Sequence, residues 1–252
     1  MKHNRLHQTW AAGKPAVNGW ASIPNAFSAE IMSMQDFDSV TIDLQHGLND
    51  YASALSMLQA MSANNVTPLA RTPWNEPGII MKLLDAGCLG IICPMINTAA
   101  EAAQFVGATK YAPVGFRSSG PTRAGLVHGG GYHKESNDAI ISLAMIETKE
   151  AVANADAICA TPGLTGVYIG PSDLAITMGY GPGLDRKEKD AVDAIKTVLA
   201  ACKKHGIKAG LHCMAPSYIK EMFALGFDFA SLSSDVRIFG QALASQLSET
   251  RS

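Results

Sequence analysis

Short apolar or β-branched runs alternate along the chain with segments whose apolar residues recur at helical spacing. The runs predict eight strands, at about 17–23, 39–44, 67–71, 90–94, 142–147, 166–170, 207–212 and 228–233. The intervening periodicity predicts helices near 28–36, 51–62, 77–86, 99–107, 149–160, 187–205, 216–225 and 235–248. Strands alternating with helices at this spacing imply parallel pairing, and eight such units close into a (β/α)8 TIM barrel of the α/β class. The punctuation agrees. Pro77 follows Glu76 where one helix begins, Gly87 stands where it ends, and Thr98 with Glu101 forms a capping box.

A length of 252 residues suits one such barrel, so the chain is expected to form a single domain over residues 1–252. One connection, from about 108 to 140, is long enough to predict a functional lid or an interface element. The 20 Lys and Arg against 22 Asp and Glu are scattered, which predicts no nucleic-acid partner and no membrane surface. Five cysteines, odd in number and mostly in apolar surroundings, read as buried free thiols of a reducing compartment. Residues 1–10 lack an apolar signal core and no stretch is long enough to span a bilayer, so a cytoplasmic location is expected.

The chemistry gathers where strands end. Two matching segments, Pro94-Met-Ile-Asn-Thr98 and Ala144-Met-Ile-Glu-Thr148, each finish a strand and supply a Thr to start a helix, which registers Glu147 at a strand tip. Asp173 follows the next strand, in Gly170-Pro-Ser-Asp173. Two neighbouring carboxylates repel unless a cation or proton lies between them, so Glu147 and Asp173 predict a site for an oxygen-loving ion such as Mg2+ or Mn2+. A structural role for either acid, stabilising a helix terminus, is the competing reading. The turn from Gly170 into a helix would aim the free amides of Ser172 and Asp173 at a substrate carboxylate. Arg71, ending Thr67-Pro-Leu-Ala-Arg71, is placed to face a carbonyl oxygen that becomes negative, or else to form a surface ion pair.

His46 is the candidate base, and Asp85, an acid in the last turn of a helix, is the candidate partner that orients it. His212 is expected to line the pocket, with Arg123 a further candidate for reading the substrate. His3, His7, His128, His133 and His205 are expected to face solvent or lie in loops. No Lys ends a strand at the tip face and no glycine-rich phosphate loop follows a strand, which argues against Schiff-base chemistry and nucleotide binding.

Six segments together, Ile42-Asp-Leu-Gln-His-Gly47, Ala70-Arg-Thr-Pro-Trp-Asn75, Met81-Lys-Leu-Leu-Asp-Ala-Gly87, Gly115-Phe-Arg-Ser-Ser-Gly-Pro-Thr-Arg123, Met145-Ile-Glu-Thr148 and Ile169-Gly-Pro-Ser-Asp-Leu174, resemble the HpcH/HpaI aldolase family of class II pyruvate aldolases. The resemblance implies a (β/α)8 barrel, dependence on Mg2+, Mn2+ or Co2+, and a homo-oligomer, trimeric or hexameric, with active sites near subunit contacts. It implies Glu147 and Asp173 as metal ligands, Arg71 as enolate stabiliser, His46 with Asp85 as base and orienter, and Gly170, Ser172 and Asp173 at the pyruvate carboxylate. The implied activity is reversible cleavage of 4-hydroxy-2-oxo acids to pyruvate or a related 2-oxo acid and an aldehyde. Many family aldolases carry Glu at the position of Gln45 and Gln at that of Met145. The Gln45 form also resembles the macrophomate synthase branch, which implies oxaloacetate decarboxylation as the alternative.

Overall fold

The computed structural model describes residues 4–252. Its strands are β1 (Ala16–Ala21), β2 (Ser39–Asp43), β3 (Thr67–Arg71), β4 (Gly90–Cys93), β5 (Ile141–Ile146), β6 (Gly166–Ile169), β7 (Lys208–Cys213) and β8 (Phe229–Leu232). All neighbours pair in parallel and β8 returns to β1, so the sheet closes into the eight-stranded barrel that the alternating pattern predicted. Parallel strands bury both faces, which is why these runs are almost continuously apolar.

The helices are α1 (Arg5–Ala11), α2 (Ala26–Ser33), α3 (Tyr51–Met61), α4 (Pro77–Asp85), α5 (Ala99–Thr109), α6 (Thr122–His128) and α7 (Tyr132–Ala139). They continue with α8 (Lys149–Ala153), α9 (Ala155–Cys159), α10 (Pro171–Thr177), α11 (Lys189–His205), α12 (Pro216–Leu225) and α13 (Asp235–Arg251). Two cores result. A large annulus packs strands against helices, and a smaller cluster fills the barrel interior with Trp20, Leu69, Ile92, Leu143, Met145, Tyr168 and Phe229. The caps behave as their chemistry requires. Thr98 and Glu101 exchange hydrogen bonds, the Glu76 carboxylate caps α4 ahead of Pro77, and Gly87 takes φ +108 just beyond that helix.

Three expectations change. The polar N-terminus contains α1, whose Leu6 and Trp10, one turn apart, are buried in the interior cluster. The segment 108–140, expected to be a lid or an interface element, carries α6 and α7 and joins the end of α5 to the start of β5, so it lies at the opposite end from the chain's own strand tips and does not cover them. There Arg117 is buried between Tyr111 and Tyr132, its guanidinium carbon 4.5 and 5.5 Å from their ring centres. Finally, the periodicity over 149–160 is divided between α8 and α9 at Asn154.

Candidate active site

At the C-terminal ends of the strands lies a cavity of about 740 Å3, lined among others by Trp20, Asp43, His46, Arg71, Gly170, Ser172, Asp173, His212 and Arg237. Six residues singled out from the sequence thus meet in one place, and each is delivered by the strand or turn it was assigned to.

Arg71 is fixed from its neighbouring strand. The β2–β3 register sets Asp43 opposite Arg71, and the buried carboxylate grips the guanidinium with both oxygens, Oδ1 to Nε at 2.8 Å and Oδ2 to Nη2 at 2.6 Å. Trp20 Nε1 donates to Oδ2 at 3.2 Å, and the backbone N–H groups of Gln45 and His46 donate to Oδ1 at 3.0 and 3.3 Å. Burial alone would raise the Asp43 carboxyl; the hydrogen bonds and charge of Arg71 outweigh it and hold the group below the usual carboxylate range. Two of the three guanidinium nitrogens are taken up by Asp43, and Arg71 faces the cavity with what remains. Asp43, the last residue of β2, was missed in the sequence as a positioning residue, because the pairing that sets it opposite Arg71 is not visible there.

Glu147 stands one residue beyond β5 and is 1% exposed. Its Oε1 accepts the Met95 N–H at 2.8 Å, and Met95 holds φ +56 to aim that N–H. The other oxygen lies so close to Gly170 that a Cβ built there would fall 2.4 Å from it. Burial, together with the charge of Asp173, pushes the Glu147 carboxyl up to about 7, against the opposing effects of the Met95 N–H and Arg71. A half-buried Asp173 thus sits near enough to oppose ionisation of Glu147. Two carboxylates in mutual repulsion, with no ion pair to Lys or Arg for either among the described residues, form an oxygen donor set suited to a divalent cation. Among the described residues no group of three or more His, Cys, Asp and Glu is placed to hold a metal. At the β2 tip, Gln45 Oε1 is buried without a hydrogen-bond partner among the described residues.

Gly170 caps α10, and Leu174 N–H makes the first intrahelical bond to Gly170 O at 3.1 Å. The amides of Ser172 and Asp173 precede that bond, and both residues line the cavity. Arg237, exposed in the first turn of α13, adds a second cation to the rim, without an ion pair among the described residues.

The expected His46–Asp85 pair does not form within the chain. His46 lies exposed at the β2 tip, whereas Asp85 ends α4 at the other end of the barrel and binds Arg117 Nη2 at 2.6 Å. The partner that an acid at a helix C-terminus requires is therefore Arg117. Arg123 is equally remote, donating to the carbonyls of Ala86 and Leu58 and to Ser62 Oγ. Of the histidines set aside, His3 lies outside the described residues. His128, expected in solvent or a loop, is buried in α6, stacked on Tyr132 and bonded to Gly87 O. His7 is partly buried and meets Ala139 O, while His205 bonds Asp156. Lys110, lowered to about 8 by burial, donates to carbonyls of Asn137 and Ile140, far from the cavity and from any Schiff-base role there.

A barrel whose strand tips bring a bidentate-held arginine and Asp173 to one cavity, with Glu147 buried beside Gly170, suits an enzyme of the aldolase or lyase type, and the relatives show that type. Residues 19–242 match the HpcH/HpaI aldolase/citrate lyase family. The chain belongs to that family. It is 39% identical over 248 residues to a hydroxypyruvate/pyruvate aldolase of Rhizorhabdus wittichii, covering 98% of this chain and 99% of that one. It is 32% identical to a 5-keto-4-deoxy-D-glucarate aldolase of Klebsiella pneumoniae, over 95% and 93% of the two. Among solved structures, an HpcH/HpaI aldolase/citrate lyase family protein from Burkholderia cenocepacia superposes with a TM-score of 0.92 at 27% identity, over 99% and 100% of the chains. Macrophomate synthase shares the fold at 0.86 and 23%, over 98% and 88%.

Proposed function

We propose that the chain is a single-domain, divalent-metal-dependent aldolase that reversibly cleaves 4-hydroxy-2-oxo acids to pyruvate, or a related 2-oxo acid such as hydroxypyruvate, and an aldehyde. The observation that carries this is the buried Glu147, packed against Gly170 and opposed in its ionisation by Asp173, with Asp173 and Arg71 both lining one cavity. The two carboxylates would hold Mg2+, Mn2+ or Co2+. When bound, such an ion supplies positive charge beside the keto oxygen of the 2-oxo acid.

The chain's own residues then divide the work. The Ser172 and Asp173 amides, at the turn from Gly170, receive the substrate carboxylate. Arg71, rigid on Asp43, holds the keto oxygen and stabilises it as it becomes an enolate oxygen. His46 takes the C4 hydroxyl proton, directly or through one water; the C3–C4 bond breaks, the aldehyde departs and the electron pair passes into the enolate. Protonation at C3 releases the 2-oxo acid. Since Asp85 of the same chain is out of reach, an orienting Asp85 for His46 would have to come from another copy.

A homo-oligomer is supported by α13, which exposes Val236, Ile238, Phe239, Leu243 and Leu247. The five free thiols, all buried, support a reducing and hence cytoplasmic setting, and no helix among the described residues is long and apolar enough to cross a membrane. Gln45 favours a second reading, decarboxylation of oxaloacetate through the same enolate.

The two are separated by measuring pyruvate release from oxaloacetate beside cleavage of 4-hydroxy-2-oxo acids, with and without EDTA. We expect aldol cleavage that EDTA abolishes, that Mn2+ restores, and that falls by at least ~10^3-fold in Glu147→Gln. Decarboxylation alone would refute the aldolase, and full activity in EDTA would refute the metal.

A further inference from the structure

The barrel interior holds a line of polar groups that the reaction as described does not use. Asn18 Oδ1 accepts the hydroxyls of Ser39 at 2.7 Å and Thr41 at 3.1 Å, which fixes its amide so that Nδ2 donates to Ser231 Oγ at 2.8 Å. Tyr168 donates its only proton to the same Ser231 oxygen, at 2.6 Å. Toward His212 Nδ1, 3.0 Å away, the phenol oxygen is then left only to accept. Nδ1 therefore carries the imidazole proton, and Nε2 keeps a bare lone pair.

Nε2 has no partner among the described residues and is not an occluded atom, and His212 lines the cavity. Trp20 is shared between the ring and the group assigned to the keto oxygen. Its edge meets Trp20 at 4.7 Å between centres, and the Arg71 guanidinium carbon lies 4.8 Å from the Trp20 ring centre. With the substrate carboxylate on the Ser172 and Asp173 amides and the keto oxygen on Arg71, as proposed above, C3 is the remaining substituent of the keto carbon and the one left to meet His212 in the same cavity. We infer that His212 Nε2 is a fixed hydrogen-bond acceptor for a hydroxyl on C3 of the donor, so that this site selects 3-hydroxy-2-oxo acids over unsubstituted pyruvate. The inference rests on the aldolase reading above and names the substrate class of that site. Burial, and then the charge of Arg71, keep the imidazole neutral, with its pKa lowered to about 3, so the lone pair persists across the working pH range.

The wild-type enzyme, His212→Phe, His212→Gln and Tyr168→Phe are compared with hydroxypyruvate and pyruvate as donors toward one aldehyde, propanal, the readout being the ratio of kcat/KM for the two donors. We expect the wild type to favour hydroxypyruvate, and the ratio to drop at least ~10-fold in His212→Phe. It should drop less in Tyr168→Phe, where the ring can change tautomer, and be partly kept in His212→Gln, whose amide oxygen accepts. A second measurement needs no turnover: 15N shifts of histidine-labelled protein should place the proton on Nδ1 of His212. A ratio that stays constant across the variants, or a proton on Nε2, overturns the inference. Absence of aldol product from either donor in the wild type would instead remove the aldolase reading itself.

Discussion

Arg71 is held by Asp43 before any ligand arrives, and at the scale of single residues this pair is what the proposed enolate stabilisation rests on. A guanidinium clamped through two nitrogens loses little entropy when it meets the substrate. The same pair ties stability to pH. The Asp43 carboxyl lies below its ordinary value, so below about pH 4 an unfolded chain binds a proton that the folded chain refuses. The stabilisation is complete above that point and is lost as pH falls through the folded-state value. Urea denaturation of wild type and Asp43→Asn as a function of pH should show a smaller acid-side loss in the variant; identical slopes below pH 4 would contradict this assignment. In the sequence, Arg71 was legible as a charge at a strand tip, but Asp43 was not, since only the β2–β3 register reveals that the two stand opposite each other.

At the scale of elements, the junction between β6 and α10 decides where the Glu147 carboxylate can sit. Gly170 is required by close approach rather than by its dihedral angles. An added Cβ would lie 2.4 Å from Glu147 Oε2, 2.5 Å from Met145 Cε and 2.9 Å from Glu147 Cβ, and the last of these cannot swing away. Gly170→Ala should therefore keep the barrel's circular dichroism while displacing the carboxylate, with activity falling ~10^2-fold and Mn2+ binding weakened in calorimetry. Unchanged Mn2+ affinity would show that Glu147 does not depend on this contact. Helix α4 teaches the converse. Its terminal Asp85 announced the need for a partner through the helix dipole, but which partner depended on the end of the barrel that α4 reaches, and there Arg117 is waiting.

On the scale of the whole molecule, the apolar content of α13 exceeds what the barrel covers. Between α2 and α13 runs a cavity of about 590 Å3 lined by Phe27, Ile31, Ile238 and Phe239, continuous with the exposed face of α13. Such a surface suits burial against another copy. In sedimentation velocity, Phe239→Glu should shift the protein from an oligomer to smaller species; a wild type that sediments as a monomer at micromolar concentration would refute the homo-oligomer. If a second copy also supplies the orienting acid for His46, the dissociated species should lose activity as well as size.

The sequence by itself determined the class of fold, because alternating apolar periods of two kinds leave a parallel barrel as their solution, and it set the candidate polar residues at one end of the strands. Glu147, Arg71, His46, Asp173 and His212 were legible there as polar residues where apolar runs stop. Tertiary structure decided which of them meet. Asp43 reaches Arg71 through register, His212 takes its tautomer from Tyr168 through the barrel interior, and Asp85 is carried away from His46 by the direction of a helix. Periodicity is a property of consecutive residues. Pairing depends on distances across the barrel, and these exist only once the sheet has closed.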